Sequence, residues 1–264
     1  MSRVKWNEMI GPTVGVLTFV FCLSVLNGCK DDQKSDPLAK PASTSIKSEK
    51  EKPEERQEFE RCLKAAELGD AVEQNNLGVM YENGAGIKKD QAKAVKWYHK
   101  SAEQGNAVAQ NNLGVMYDNG MGVKQDHKQA ARWYRKAAEQ GNVDAQHNLG
   151  VMYLDGTGVK KNYTEAEKWL RNAAEKNHSQ AQHNLGVMYF HGDGVKRDYV
   201  QAVEWFHKAA EQGYADAQYN LGIIYFNGAG VKKNHAQAVE WARKAARQGH
   251  KKAQEELKKL GESP

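Results

Sequence analysis

Between residues 57 and 260 the apolar positions follow two periods at once. Over short stretches they return at helical spacing. Ala109, Leu113, Met116 and Tyr117 share one face of a first helix, and Ala130, Trp133, Tyr134, Ala137 and Ala138 share one face of a second. Between them, Asn119-Gly120-Met121-Gly122 offers a left-handed cap and a turn, and Val123 is placed to tuck under that loop. Asp126 is a helix-starting residue, and Gly141 closes the second helix. The long period is 36 residues: Leu77, Leu113, Leu149, Leu185, Leu221 and Leu257 are spaced by it. Gly78, Gly114, Gly150, Gly186 and Gly222 keep the same register, as do Tyr81, Tyr117, Tyr153, Tyr189 and Tyr225. Trp97, Trp133, Trp169, Trp205 and Trp241 mark the second helix of each copy.

The repeat sets the domain plan. Five full copies occupy 71–106, 107–142, 143–178, 179–214 and 215–250. A single helix pair cannot cover its own apolar face, so neighbouring copies must stack to bury it. The expected fold is all-α, an α-solenoid of helix-turn-helix repeats. Small residues such as Gly114, Ala130 and Ala137 allow close helix approach, while Trp133 and Tyr134 fill larger spaces. Residues 57–70 match only the second helix of a copy and form an N-terminal half-repeat. Residues 251–264 match only the first helix and a tail. There Glu256, Lys258 and Gly261 replace the usual Asn, Gly and Tyr, which suits a solvated cap.

Ahead of the repeats the pattern changes. Arg3 and Lys5 precede an apolar stretch from Ile10 to Leu26, closed by Leu26-Asn27-Gly28-Cys29. This is the layout of an export signal, residues 1–28. Its ending resembles a bacterial lipobox, in which the signal is cut before a cysteine that becomes lipidated, here Cys29. An uncleaved anchor or ordinary signal is the alternative, because the 17 residues from Ile10 to Leu26 nearly span a bilayer. Either route places the repeats outside the cytoplasm. The lipobox resemblance, with Lys30 rather than aspartate after the cysteine, leans towards the outer membrane. Residues 29–56 carry three prolines, many charges and almost no large apolar side chains, which reads as a disordered tether.

Composition adds exclusions. The formal charge is +5 with signs interspersed, and no basic block interleaves with aromatics, so nucleic acid is not an expected partner. The three cysteines give no disulfide framework, and Cys62 sits where later copies carry Tyr98, Tyr134, Leu170, Phe206 and Ala242, a buried filler position. No phosphate loop, nucleophile elbow or H-E-x-x-H motif is present. His147 and His183 lie one repeat apart, about 10 Å at ordinary helix spacing, too far to share one zinc ion. No metal, cofactor or catalytic residue is expected.

The pattern A-x-x-x-L-G-x-x-Y-x-x-G-x-G-V, followed by A-x-x-W and A-A-x-x-G, resembles the Sel-one-like repeat (SLR), a relative of the tetratricopeptide repeat. It covers residues 57–260, with Ser101 and Asn177 as small departures. The resemblance implies a right-handed superhelix lined inside by the first helices, acting as an adaptor for protein or peptide partners. Some secreted members carry a disulfide in each repeat and are linked to β-lactam binding or hydrolysis; the paired cysteines are missing here. A β-lactam or cell-wall enzyme and a surface lipoprotein acting on host cells stand as alternatives to an envelope scaffold tethered by its lipid.

By analogy with the related repeat, the inner face uses the equivalents of Asn111, Asn112, Val115, Asp118 and Asn119. One position reads Asn75, Asn111, His147, His183, Tyr219, and the next is asparagine throughout: Asn76, Asn112, Asn148, Asn184, Asn220. That ladder suits hydrogen bonding to an extended peptide, or bonding to the neighbouring helix, since the position borders the packed stripe. The Asp118 position runs Glu82, Asp118, Leu154, Phe190, Phe226, which predicts a polar N-terminal groove and an aromatic C-terminal one, unless these rings are packing between copies.

Overall fold

Each copy of the repeat folds as two 13-residue helices, here called A and B. The computed structural model describes residues 53–263, and no strand occurs among them. The A helices are α2 (Ala71–Asn83), α4 (Ala107–Asn119), α6 (Val143–Asp155), α8 (Ser179–His191) and α10 (Ala215–Asn227). The B helices are α3 (Gln91–Glu103), α5 (His127–Glu139), α7 (Tyr163–Glu175), α9 (Tyr199–Glu211) and α11 (His235–Arg247). Helix α1 (Pro53–Glu67) precedes them and α12 (Lys251–Lys259) follows. Each helix packs on its neighbours in sequence, which makes the array an all-α solenoid.

Local chemistry sets the helix ends. Asp126 accepts from the backbone N–H groups of Lys128 and Gln129, capping α5. Gly120 ends α4 in the left-handed region at φ 69° and returns its N–H to the Met116 carbonyl. Asn177, standing where other copies have glycine, takes the same region at φ 64°. Helix α1 begins at Pro53, so residues 53–56, assigned above to the tether, are helical. Proline lacks only an N–H that no first-turn residue uses, and Glu54 and Glu55 complement the helix dipole there.

Close packing explains the glycine after each core leucine. A Cβ on Gly78 would lie 2.5 Å from the Tyr98 ring, and one on Gly114 2.6 Å from the Tyr134 ring. In the fifth copy the facing residue is Ala242, and the nearest atom to a Cβ on Gly222 is a backbone oxygen at 3.2 Å. The six register leucines, Leu77 to Leu257, are all fully buried. Trp133, Trp169 and Trp205 are buried too, and lysines lie over the tryptophan faces: Lys100 is 3.9 Å from the Trp97 centroid and Lys208 4.1 Å from that of Trp205. Cys62 is buried and donates to the Glu73 carbonyl; burial pushes its thiol up to about 12. The expected export signal at residues 1–28, Cys29 and the expected tether up to residue 52 lie outside the described residues.

Candidate partner-binding site

The asparagine ladder joins the A helices to one another. Asn112 donates its amide to Asn75 Oδ1 at 3.1 Å, and Asn148 donates to Asn111 Oδ1 at 3.3 Å. Further along, histidine takes the acceptor's place. Asn184 donates to His147 Nε2 at 3.2 Å, and Asn220 to His183 Nε2 at 3.1 Å. Asn76, on the first A helix, is exposed and donates to Glu73 of its own helix at 3.3 Å. Of the two readings of the ladder, bonding to the neighbouring helix is the one the geometry displays for these four residues. Asn220 is buried, while Asn112, Asn148 and Asn184 keep part of their surface.

The preceding position also lies within the stack. His147, His183 and Tyr219 are buried, so placing them on an open groove is corrected: they fill the junctions between copies. His147 stacks on His178 with centroids 4.6 Å apart, and Tyr219 lies 4.5 Å from the His250 ring. His178 and His250 are themselves caps, accepting from the N–H groups of Ala181 and Ala253 through Nδ1. Through Nε2 they meet Asp144 at 3.5 Å and Asp216 at 3.1 Å. Those contacts hold both carboxyls below the ordinary range. Burial holds the His147 ring down to about 3, aided by the His178 ring beside it, and burial also lowers His183.

The Glu82-to-Phe226 row packs inside each repeat. Tyr98 donates its hydroxyl to Glu82 at 2.6 Å, and Asp118 meets His127 Nδ1 at 2.7 Å. Leu154 rests on the central core cluster. Phe190 makes an edge contact with Tyr199 at 5.0 Å, and Phe226 with His235 at 4.6 Å. All of these row residues keep part of their surface exposed.

Two features escaped the sequence reading. One is a glutamine ladder: Gln74, Gln110, Gln146, Gln182 and Gln218 each donate to an alanine carbonyl eight residues back. Gln104, Gln140, Gln212 and Gln248 then donate to Gln74, Gln110, Gln182 and Gln218, each at 2.7 Å. These glutamines recur at the repeat period, which is the signal in the sequence that marks them. The other is a pair of exposed valines at equivalent places on adjacent A helices, Val72 at 59% and Val108 at 51% exposure. Among the described residues no group of three or more His, Cys, Asp or Glu is placed to hold a metal, and no helix is long and apolar enough to cross a membrane.

Stacked helix pairs with a 36-residue period, polar ladders at the junctions and no strand among the described residues define a tetratricopeptide-like repeat array. The Sel1 repeat family matches residues 74–106, 107–142, 143–178, 179–214 and 215–250, and the chain belongs to that family. Sel1 repeat proteins are in general protein–protein interaction scaffolds. A Sel1 repeat protein from Oxalobacter formigenes is 35% identical over 77% of this chain and 81% of its own, with a TM-score of 0.74. A protective antigen present in uropathogenic Escherichia coli strains, displaying an SLR fold, is 46% identical over 74% of this chain, with a TM-score of 0.72. The match spans only 42% of that antigen's chain. A comparison with curated proteins gives no match.

Proposed function

We propose that this chain is a membrane-tethered scaffold of the bacterial envelope, holding a protein or peptide partner along the row of A helices. The observation that supports it is the Val72–Val108 pair: two apolar side chains more than half exposed, at equivalent positions of adjacent repeats, where only a partner removes them from water. Phe190 and Phe226, half-exposed on later A helices, extend the same kind of surface towards the C-terminus. Cys29 supplies the tether through its lipid, and the outer membrane is the proposed location.

Crosslinking in the native envelope, followed by capture and mass spectrometry, tests the reading. Loss of the captured partner in Val72→Asp/Val108→Asp puts it on the first two repeats; loss in Phe190→Ala/Phe226→Ala puts it on the last two. A partner retained by both variants, with unchanged melting temperatures, refutes binding along this face. A second reading is display at the cell surface, favoured by the 46% identity to a protective antigen. Antibody labelling of intact cells decides it: a signal only after permeabilisation excludes surface display.

A further inference from the structure

Two buried histidines and three asparagines form one continuous hydrogen-bonded chain through three A helices. His147 Nδ1 faces Asn148 Oδ1 at 3.3 Å, and His147 Nε2 faces the Asn184 amide nitrogen at 3.2 Å. The other end of that same amide, Asn184 Oδ1, faces His183 Nδ1 at 3.4 Å, and His183 Nε2 faces the Asn220 amide nitrogen at 3.1 Å. An amide nitrogen only donates and an amide oxygen only accepts, so the chain fixes both tautomers. Each ring is neutral, protonated at Nδ1 and unprotonated at Nε2. In the first two repeats Asn75 and Asn111 stand where these histidines are, and the ladder there contains nothing that titrates.

The structure assigns to this chain of five side chains a site for one proton and not two: taking up a second opens the junctions between repeats 3, 4 and 5. Asn184 lies between the rings and decides how many protons the chain can hold. If both were imidazolium, His147 Nε2–H and His183 Nδ1–H would both point at one amide that has a single acceptor. One donor would then face another donor between two buried rings, and the bond that Asn184 makes to one of them is lost. A single proton on His183 is accommodated: Nδ1–H keeps its bond to Asn184, and a turn of the Asn220 amide presents oxygen to the new Nε2–H.

The surroundings favour His183 for that first proton. His183 lies against Phe206 and Tyr214, at 5.6 and 5.1 Å between centroids, with the Asp216 carboxylate near enough to attract charge. His147 instead stacks on another imidazole, His178, whose own partner is Asp144. Burial holds both rings below the ordinary histidine range. The sign follows from linkage. A group whose folded pKa is depressed contributes stability that is full above the unfolded value of about 6.5 and is lost as pH falls below it.

The test is the double variant His147→Asn/His183→Asn, which installs the residues that repeats 1 and 2 already carry. Urea unfolding of the full chain is followed at pH 7.5, 5.5 and 4.5. The unfolded chain takes up two protons on these rings where the fold takes one at most. The wild-type unfolding constant should therefore rise at least about tenfold more than the variant's between pH 7.5 and 5.5, and again at least about tenfold more between pH 5.5 and 4.5. Nitrogen-15 shifts of the wild-type imidazoles give an independent reading: both rings neutral with bare Nε2 at pH 7.5, and one imidazolium of the pair in acid while the chain stays folded. Parallel pH profiles in the two proteins, or two imidazoliums in a folded chain, overturn the proposal. If the variant fails to fold, the wild-type spectra still decide.

Discussion

Replacing Lys176 by glutamine should stabilise the third repeat. In four copies a glutamine at this position donates to the Oε1 of a buried glutamine on the A helix of the same copy, at 2.7 Å each time. In the third copy the position is Lys176, whose Nζ reaches the Gly141 carbonyl at 3.0 Å instead. Gln146 still donates to the Ala138 carbonyl at 3.1 Å, but its Oε1 has no partner although the residue is only 4% exposed. A buried acceptor left unmade costs about 1–3 kcal/mol. The lysine contact that Lys176→Gln removes is exposed and contributes less, roughly 0.5–1 kcal/mol. The balance is a gain of about 1 kcal/mol, or about 2–4 °C in melting temperature for a domain of this size. Thermal and urea unfolding followed by circular dichroism at 222 nm measures it, with Lys176→Ala as control. That control loses the Gly141 contact without satisfying Gln146, so it should fall below wild type. A glutamine variant no more stable than wild type, or no better than the alanine one, refutes the reasoning.

Gly114→Ala should destabilise by about 1–3 kcal/mol through overpacking, because its Cβ would meet the Tyr134 ring at 2.6 Å. Gly222→Ala, where the nearest atom is 3.2 Å away, should cost less; equal costs in urea unfolding would show that these glycines are not close-approach sites. Cys29→Ala should abolish labelling by a fatty-acid analogue and leave the chain unprocessed or released, whereas unchanged labelling favours an uncleaved anchor.

What was legible in the sequence is what sits close together along it. The A–turn–B unit could be read because its signals fall within one copy: Leu113 and Tyr117 on one helix, Gly120 at its end, Asp126 three residues past Val123. The stack could be read because the pattern repeats and one copy cannot bury its own face. The N-terminal half-repeat starts at residue 57 by its match to a copy's second helix, whereas α1 starts at Pro53, because a proline in a first turn breaks nothing. The side-chain pairing between helices was not legible. Asn112 finds Asn75 across 37 residues and Gln104 finds Gln74 across 30, and no local pattern says which side chain ends opposite which. His178 and His250 were passed over because a histidine cap has no motif; it is recognised only by the N–H that its Nδ1 meets.

The ladder also shows why an invariant position inside a repeat protein is weak guidance to a ligand. Every copy must join the next, so any residue that makes the joint recurs in every copy whether or not a partner touches it. Asn112, Asn148, Asn184 and Asn220 recur, and each bonds the helix before it. A partner that distinguishes one end of the array from the other must read the positions that differ between copies. The first position of the exposed A-helix row reads Val72, Val108, Asp144, Gln180, Asp216. Asp144 and Asp216 are engaged by His178 and His250, so two of the five serve the joint. The two valines have most to gain, since covering the exposed half of a valine side chain contributes somewhat under about 1 kcal/mol, while Phe190 and Phe226 already share their rings with Tyr199 and His235 and have less area left to bury. The apolar drive for docking along the A helices is therefore greater on the first two repeats than on the last two, the reverse of what the aromatic residues alone suggest.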